Sequence, residues 1–371
     1  MQSEIQMSAP DIDESDVAAV AEVVRSGRLA LGPRAAEFER AVAGYCGVRH
    51  AVAVSSGTAG LHLVVSALGL GPGDEVLVPS FTFAASVNAI LYAGARPVFV
   101  EIEPETCNLD VGDLERRITP RTRAILAVDV FGHPADWRRL ERVARARGLA
   151  LIDDCCEALG AAVEGRRLGS FGRAGVFAFY PNKQITTGEG GMIVTDDGDL
   201  AALCRSRANQ GRDAMGAWLH HQRLGYNYRL DEMSAALGAS QMRRIDRILA
   251  RREEVARMYG ERLARLERVR PPAVQPWATM SWFVYVVTLA DGLDRDVVIE
   301  RLARSGIPAR GYFAPVHLQP YLREMLGDLS GSLPRTEALA RRTLALPFHG
   351  GMPEEQIDRV VLALAGALSA R

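Results

Sequence analysis

Short apolar runs alternate along the chain with stretches whose apolar residues recur every three or four positions. The runs predict strands at Ala51–Ser55, Glu75–Pro79, Pro97–Ile102, Ala124–Val130, Leu149–Asp153, Gly175–Phe179 and Gly191–Thr195. Between them, Ala59–Leu68, Ala84–Ala93, Asp110–Ile118 and Asp136–Arg147 carry the helical period. Strands that are apolar on both faces and alternate with helices predict an α/β fold, a mainly parallel sheet sandwiched by helices. A long arginine-rich helical region follows from Asp231 to about Glu267. After the proline-rich stretch Pro271–Pro276 the pattern restarts as strand (Trp282–Leu289), helix (Arg295–Ser305), strand and helix, a smaller α+β unit. The expected division is residues 1–248 for the N-terminal segment and large domain, and 249–371 for the linking helix and small domain.

Composition removes several classes of function. The 371 residues are 48% hydrophobic and 24% charged, with a net charge of −1. That balance supplies a large core and argues against a nucleic-acid binder driven by counterion release. The one long apolar window, Ala51–Leu70, is broken by Ser55, Ser56, Gly57 and Thr58, so it reads as strand, turn and helix rather than a membrane span. The polar, acidic first residues have the wrong chemistry for a signal or transit peptide. Five scattered cysteines without a C-x-x-C pair favour neither a disulfide framework nor a zinc ribbon, and no metal site is expected. Together these features fit a cytoplasmic protein.

One compositional feature points to chemistry. Lys183 is the single lysine of the chain; every other one of its 44 basic residues is arginine. Arginine serves wherever only positive charge is needed, but it cannot act as a nucleophilic amine. Lys183 follows the apolar run Phe177–Tyr180 and Pro181, and precedes Gly188, Gly190 and Gly191, which let the chain turn back into a strand. The amine is thus displayed at a strand end among apolar and aromatic residues.

Two further motifs sit at strand ends. Ser55-Ser56-Gly57-Thr58-Ala59 joins a strand to a helix, either as an ordinary N-cap or as an anion site built from a helix N-terminus. Asp153 and Asp154 close the apolar strand Leu149–Asp153 and must face opposite sides if the strand persists. One of them could cap a following helix while the other holds a pyridine nitrogen protonated. Neither a P-loop nor a dinucleotide fingerprint is present: Gly69, Gly71 and Gly73 follow a helix and precede a strand, the reverse of the required order.

Longer segments carry a family resemblance: SSGTAGLHL (55–63), GPGDEVLVPSFTFAASVNAILYAGARPVFVEI (71–102), FYPNKQITTGEGGMIVTDD (179–197), GYNYRLDEMSAALGASQ (225–241), GYFAPVHLQPY (311–321) and LALPFHGGM (344–352). The chain resembles, over essentially its whole length, the DegT/DnrJ/EryC1/StrS family of pyridoxal 5'-phosphate sugar aminotransferases, whose fold is the aspartate-aminotransferase-like type I. The resemblance implies that Lys183 forms the Schiff base with the cofactor and moves the proton. It implies further that Asp154 pairs with the pyridinium nitrogen, that Phe83 stacks on the ring and that Gly57 and Thr58 hold the phosphate. Asn227 would reach that phosphate from the neighbouring subunit of a homodimer. Tyr312 and His317 fall in the segment that borders the substrate pocket.

Three positions depart from the family pattern. Glu157 stands where many members have Gln or His beside the cofactor ring, Ala178 where many have a phosphate-binding Ser, and Asp129 where a His is common. Related sugar dehydratases carry His in place of the lysine, so Lys183 separates this chain from them. The expected reaction moves an amino group from a donor, L-glutamate, to a keto-sugar acceptor, a nucleotide-linked 4-keto-6-deoxy or 3-keto hexose. A cyclitol ketone is the alternative acceptor, and a cofactor-binding regulatory protein without turnover is the alternative from another class.

Overall fold

A computed structural model describes residues 4–213 and 219–369. Helices α1 (Glu14–Ser26) and α2 (Pro33–Cys46) open the chain. Strands then alternate with helices: β1 (His50–Val54), α3 (Gly57–Ala67), β2 (Glu75–Pro79), α4 (Ala84–Tyr92), β3 (Arg96–Val100) and α5 (Val111–Arg117). The alternation continues through β4 (Thr122–Val128), α6 (Trp137–Arg147) and β5 (Ala150–Asp154). A small hairpin of β6 (Ala162–Val163) and β7 (Arg166–Arg167) precedes β8 (Ala174–Ala178) and β9 (Gly191–Thr195). Next come α7 (Gly198–Ala208), α8 (Glu232–Met242) and α9 (Ile245–Leu263). The remainder is β10 (Val269–Arg270), β11 (Ala278–Thr279), β12 (Tyr285–Leu289), α10 (Arg295–Arg304) and β13 (Arg310–Gly311), followed by α11 (Pro320–Leu326), α12 (Pro334–Ala340), β14 (Thr343–Leu346) and α13 (Glu354–Ser369).

Aspartates start many of these helices, as a short side chain that accepts from the first-turn N–H groups should. Asp110, Asp136, Asp197, Asp231 and Asp294 each do so, at α5, α6, α7, α8 and α10. The large sheet has the order β1-β9-β8-β5-β4-β2-β3, parallel except for β9, which runs against both its neighbours. Its strands are buried on both faces. Val76 and Val78 of β2, Leu126 of β4 and Ile152 of β5 point into one core, while Leu77, Ile125 and Leu151 point into the other. This is the α/β sandwich that the alternation predicts.

The second sheet, β10-β12-β14-β13, is antiparallel. Tyr259 of α9 stacks on Tyr285 of β12 at 4.8 Å between ring centroids, and Leu302 of α10 and Leu364 of α13 join the same core. Among the described residues no helix is long and apolar enough to cross a membrane.

Two predicted elements are shorter than their sequence patterns suggest. The helical region from Asp231 breaks between α8 and α9, where Arg244 leaves helical geometry at φ −126°, ψ 21°. Its guanidinium is held by Asp11 at 2.6 Å and by the buried Asp16 of α1, and these tertiary bonds replace the continuous helix. The strand expected from Trp282 begins only at Tyr285, because the carbonyls of Trp282 and Phe283 turn towards Arg252.

Gly132, in the turn after β4, binds the two sheets together. Its carbonyl accepts from the Ser281 N–H at 2.9 Å, and at φ +90° a Cβ would run into the Ser281 carbonyl. Gly132→Ala should therefore cost about 3 kcal/mol of stability. Urea unfolding midpoints of the two proteins measure it.

Candidate active site

In a sheet of parallel strands, every strand delivers its carboxyl end to the same edge, and side chains that follow those ends converge there. Here β1 leads into Ser56, Gly57 and Thr58, β2 into Thr82 and Phe83, β5 ends on Asp154, and β8 ends on Ala178 shortly before Lys183. All of these residues line one cavity of about 450 Å³. Glu157, Phe283, Arg310, Tyr312 and Phe313 complete much of its wall.

The turn after β1 is a helix cap that also faces the cavity. Ser56 caps α3 by accepting from the Ala59 N–H at 3.1 Å, and the first turn of that helix faces the cavity. A Cβ at Gly57 would lie 2.7 Å from the Ala178 Cβ and 2.9 Å from the Cys156 Sγ. Only glycine lets the backbone come this close, which exposes first-turn N–H groups to an anion.

Asp153 and Asp154 face opposite sides of the sheet. Asp154 Oδ2 accepts from the Ser86 hydroxyl at 2.6 Å and Oδ1 from the Cys156 N–H at 3.3 Å. Burial pushes its carboxyl above the usual range, while Ser86, Cys156 and the charge of Lys183 pull it back. Asp153 caps no helix, because a loop rather than a helix follows β5. It accepts from the Gly169 N–H at 2.7 Å and faces Asp129.

Asp129 accepts from the Ala135 N–H at 2.7 Å and from the Trp137 indole at 2.8 Å, both on Oδ1. Asp129 Oδ2 and Asp153 Oδ1 are buried without another donor. Two fully buried carboxyls in contact cannot both ionise, so burial and mutual repulsion raise Asp129 well above the carboxylate range, with the pair holding a proton between them.

Lys183 stands on a loop that is held through its backbone. Its carbonyl accepts from the buried Arg252 guanidinium at 2.9 Å, and its N–H donates to the Tyr180 carbonyl at 2.9 Å. The next residue, Gln184, donates to the Glu157 carbonyl at 2.6 Å and to the Ser281 carbonyl at 3.0 Å. The side chain is left to the cavity, with Nζ 3.7 Å from Glu157 Oε1 and 3.9 Å from the Phe283 ring centroid. Glu157 is fixed in turn by the Phe131 N–H at 2.9 Å; burial raises its carboxyl and Lys183 lowers it.

Two residues singled out from the sequence lie elsewhere. His317 is fully buried, 2.6 Å from the Ser80 hydroxyl and 3.2 Å from Glu337, and does not line the cavity; its position is one of packing beneath the end of β2. Asn227 is exposed, in a bridge with Asn209, and is likewise outside the cavity wall of its own chain. Phe83, by contrast, lines the cavity and is 65% exposed, an apolar ring open to it. Ser86, Cys156, Arg252, Phe283 and Arg310 carry no motif that marks them. Ser86 alone had a usable signal, since it lies three residues after Phe83 and thus returns to the same face of α4.

An amine, a buried carboxylate aimed inward and a helix N-terminus around one cavity form the set that a phosphorylated pyridine aldehyde requires. Residues 10–365 match the model of the DegT/DnrJ/EryC1/StrS aminotransferase family. The chain belongs to that family. It is 43% identical over 364 residues to GDP-perosamine synthase of Caulobacter vibrioides, covering 97% of each protein. It is 35% identical to the spore coat polysaccharide biosynthesis protein SpsC of Bacillus subtilis, covering 96% of this chain and 95% of that one.

Among solved structures, DesV of S. venezuelae superposes with a TM-score of 0.91 at 37% identity, over 98% of this chain and 99% of that one. The sugar aminotransferase Spr1654 of Streptococcus pneumoniae, in its PLP form, gives 0.92 at 27% identity over 99% of both. The fold is thus the type I fold of pyridoxal phosphate enzymes, the cofactor of this aminotransferase is pyridoxal phosphate, and the residues of the cavity fit it.

The carboxyl pair makes a prediction of its own. A group whose carboxyl is raised by folding keeps its proton in the native state while the unfolded chain loses it, so stability falls as pH climbs above the ordinary carboxylate range. Asp129→Asn supplies an amide N–H to Asp153 Oδ1 without a titrating proton. The variant should therefore lose less thermal stability than the parent between pH 5 and pH 8, measured by unfolding midpoints across that range.

Proposed function

We propose that this chain transfers an amino group from L-glutamate to the ketone of a nucleotide-linked hexose, as a dimer whose subunits share each active site. The observation that carries the reading is the lone lysine amine directed into a cavity that also holds a buried carboxylate and a helix N-terminus. The activity named for the 43% identical relative, a GDP-perosamine synthase, supports a sugar nucleotide as the acceptor.

The chain's own residues divide the work. Lys183 is the amine that would attach the cofactor and would then move a proton between the substrate carbon and the cofactor. Bound there, pyridoxal phosphate supplies an electron sink for the negative charge left on that carbon. Asp154, buried and oriented by Ser86, keeps a pyridine nitrogen protonated. Gly57 and Thr58, at the N-terminus of α3, receive the phosphate, with Ser56 already engaged in capping. Phe83 covers the ring with an aromatic face that is otherwise exposed. Glu157 holds the Nζ of Lys183 within 3.7 Å when the amine is charged.

Asn227 fits a role across the dimer, because its side chain is exposed rather than buried in its own protomer. Exposed apolar side chains at Leu29, Leu31, Tyr92 and Leu224 supply surface for a second copy. All five cysteines are unpaired, in keeping with a reducing cytoplasm.

The first test is the absorption spectrum of the protein loaded with pyridoxal phosphate. A near-visible band that bleaches on addition of L-glutamate is the expected result; no band, or a band indifferent to glutamate, argues against the cofactor attachment or the donor respectively. Lys183→Ala should abolish the covalent band and slow amino transfer by roughly 10³-fold. Asn227→Ala should release the cofactor more readily at unchanged protomer stability, read by dialysis and by unfolding. A monomer that retains the cofactor at low protein concentration would contradict the shared site.

A further inference from the structure

The cavity wall includes two cations, and one of them has no anion. Lys183 is paired with Glu157. Arg310, the first residue of β13, lies on the same wall, yet no hydrogen bond or ion pair joins its guanidinium to another described residue. Arg310 shares that wall with Tyr312 and Phe313. Elsewhere many guanidiniums are held by carboxylates: Arg335 by Asp110, Arg244 by Asp11, Arg121 by Glu75.

Depth separates the two cations. The Lys183 side chain is 13% exposed, whereas Arg310 is an exposed residue at the rim. An amino donor carries its carboxylate one bond from the carbon that bears nitrogen, so that carboxylate must sit at the depth of the lysine. A nucleotide-linked hexose carries its diphosphate on the far side of the sugar ring from the reacting ketone. With the ketone at Lys183, the diphosphate falls towards the mouth. A planar guanidinium presents paired N–H groups that match two phosphate oxygens at once.

We propose that Arg310 binds the diphosphate of the sugar-nucleotide acceptor and thereby selects nucleotide-linked sugars over free ones. The inference rests on the sugar-aminotransferase reading and adds the residue that holds the acceptor's anionic half. Arg310 is a specificity residue for the second half-reaction and takes no part in the first.

The test uses the protein loaded with pyridoxal phosphate, unsubstituted and as Arg310→Gln and Arg310→Lys. GDP-mannose, UDP-glucose and dTDP-glucose serve as probes, since each carries the diphosphate but no ketone to be aminated. Titration calorimetry should give at least one probe whose affinity falls about tenfold or more in Arg310→Gln and is partly restored in Arg310→Lys. Its binding should also depend less steeply on salt in Arg310→Gln. The glutamate concentration that half-bleaches the cofactor band is measured on the same samples.

Equal affinity of every probe for the parent and Arg310→Gln overturns the proposal, as does the failure of all three to bind the parent. A shift confined to glutamate also overturns it and assigns Arg310 to the donor carboxylate. If the parent band ignores glutamate while probe binding still depends on Arg310, the donor assignment fails and the anion site stands.

Discussion

A buried guanidinium holds the lysine loop of this molecule in place. Arg252 of α9 is 2% exposed and has no carboxylate partner among the described residues; it donates to the carbonyls of Lys183, Trp282 and Phe283. Burial draws its pKa down to about 10, still charged at neutral pH. Removing such a cation from water costs several kcal/mol unless its donors are met, and here three carbonyls meet them. Those carbonyls belong to the lysine loop of the large sheet and to the segment that enters the small one. Arg252 is therefore where the two sheets agree on the position of Lys183, and Phe283, which touches the lysine amine, is set by the same contact.

Much else follows from fixing the backbone while leaving the side chain free. Among the described residues only Glu157 and the Phe283 face engage the amine of Lys183. At Asp154, Ser86 and the Cys156 N–H hold both oxygens. Behind it, the Asp129–Asp153 pair occupies the opposite face of the sheet and keeps its proton to itself. The arrangement places one fixed carboxyl on the cavity side of β5 and a pair that shares a proton on the other.

What could be read without coordinates was whatever repeats or is locally forced. Short apolar runs marked the strands, a spacing of three and four marked the helices, and the acid pair at the end of β5 had to diverge because successive strand residues do. Lys183 was legible for a different reason, as the single residue whose chemistry arginine cannot replace. Arg252 was not, because one arginine in a helix containing Arg247, Arg251 and Arg257 carries no local sign that it will be buried. The break at Arg244 and the late start of β12 were hidden likewise: both are set by partners more than 25 residues away in the chain. His317 illustrates the converse, a residue beside a pocket-lining tyrosine whose own ring turns into the core.

The solitary lysine has a consequence of its own. Aldehydes, the free cofactor among them, condense with exposed ε-amines on ordinary protein surfaces and scatter across them. This chain offers them a single ε-amine, on the wall of the cavity described above, with a surface otherwise basic through arginine. Its loading is therefore self-counting: one equivalent of aldehyde bound to an ε-amine per chain is the ceiling, and any such adduct reports from that cavity alone.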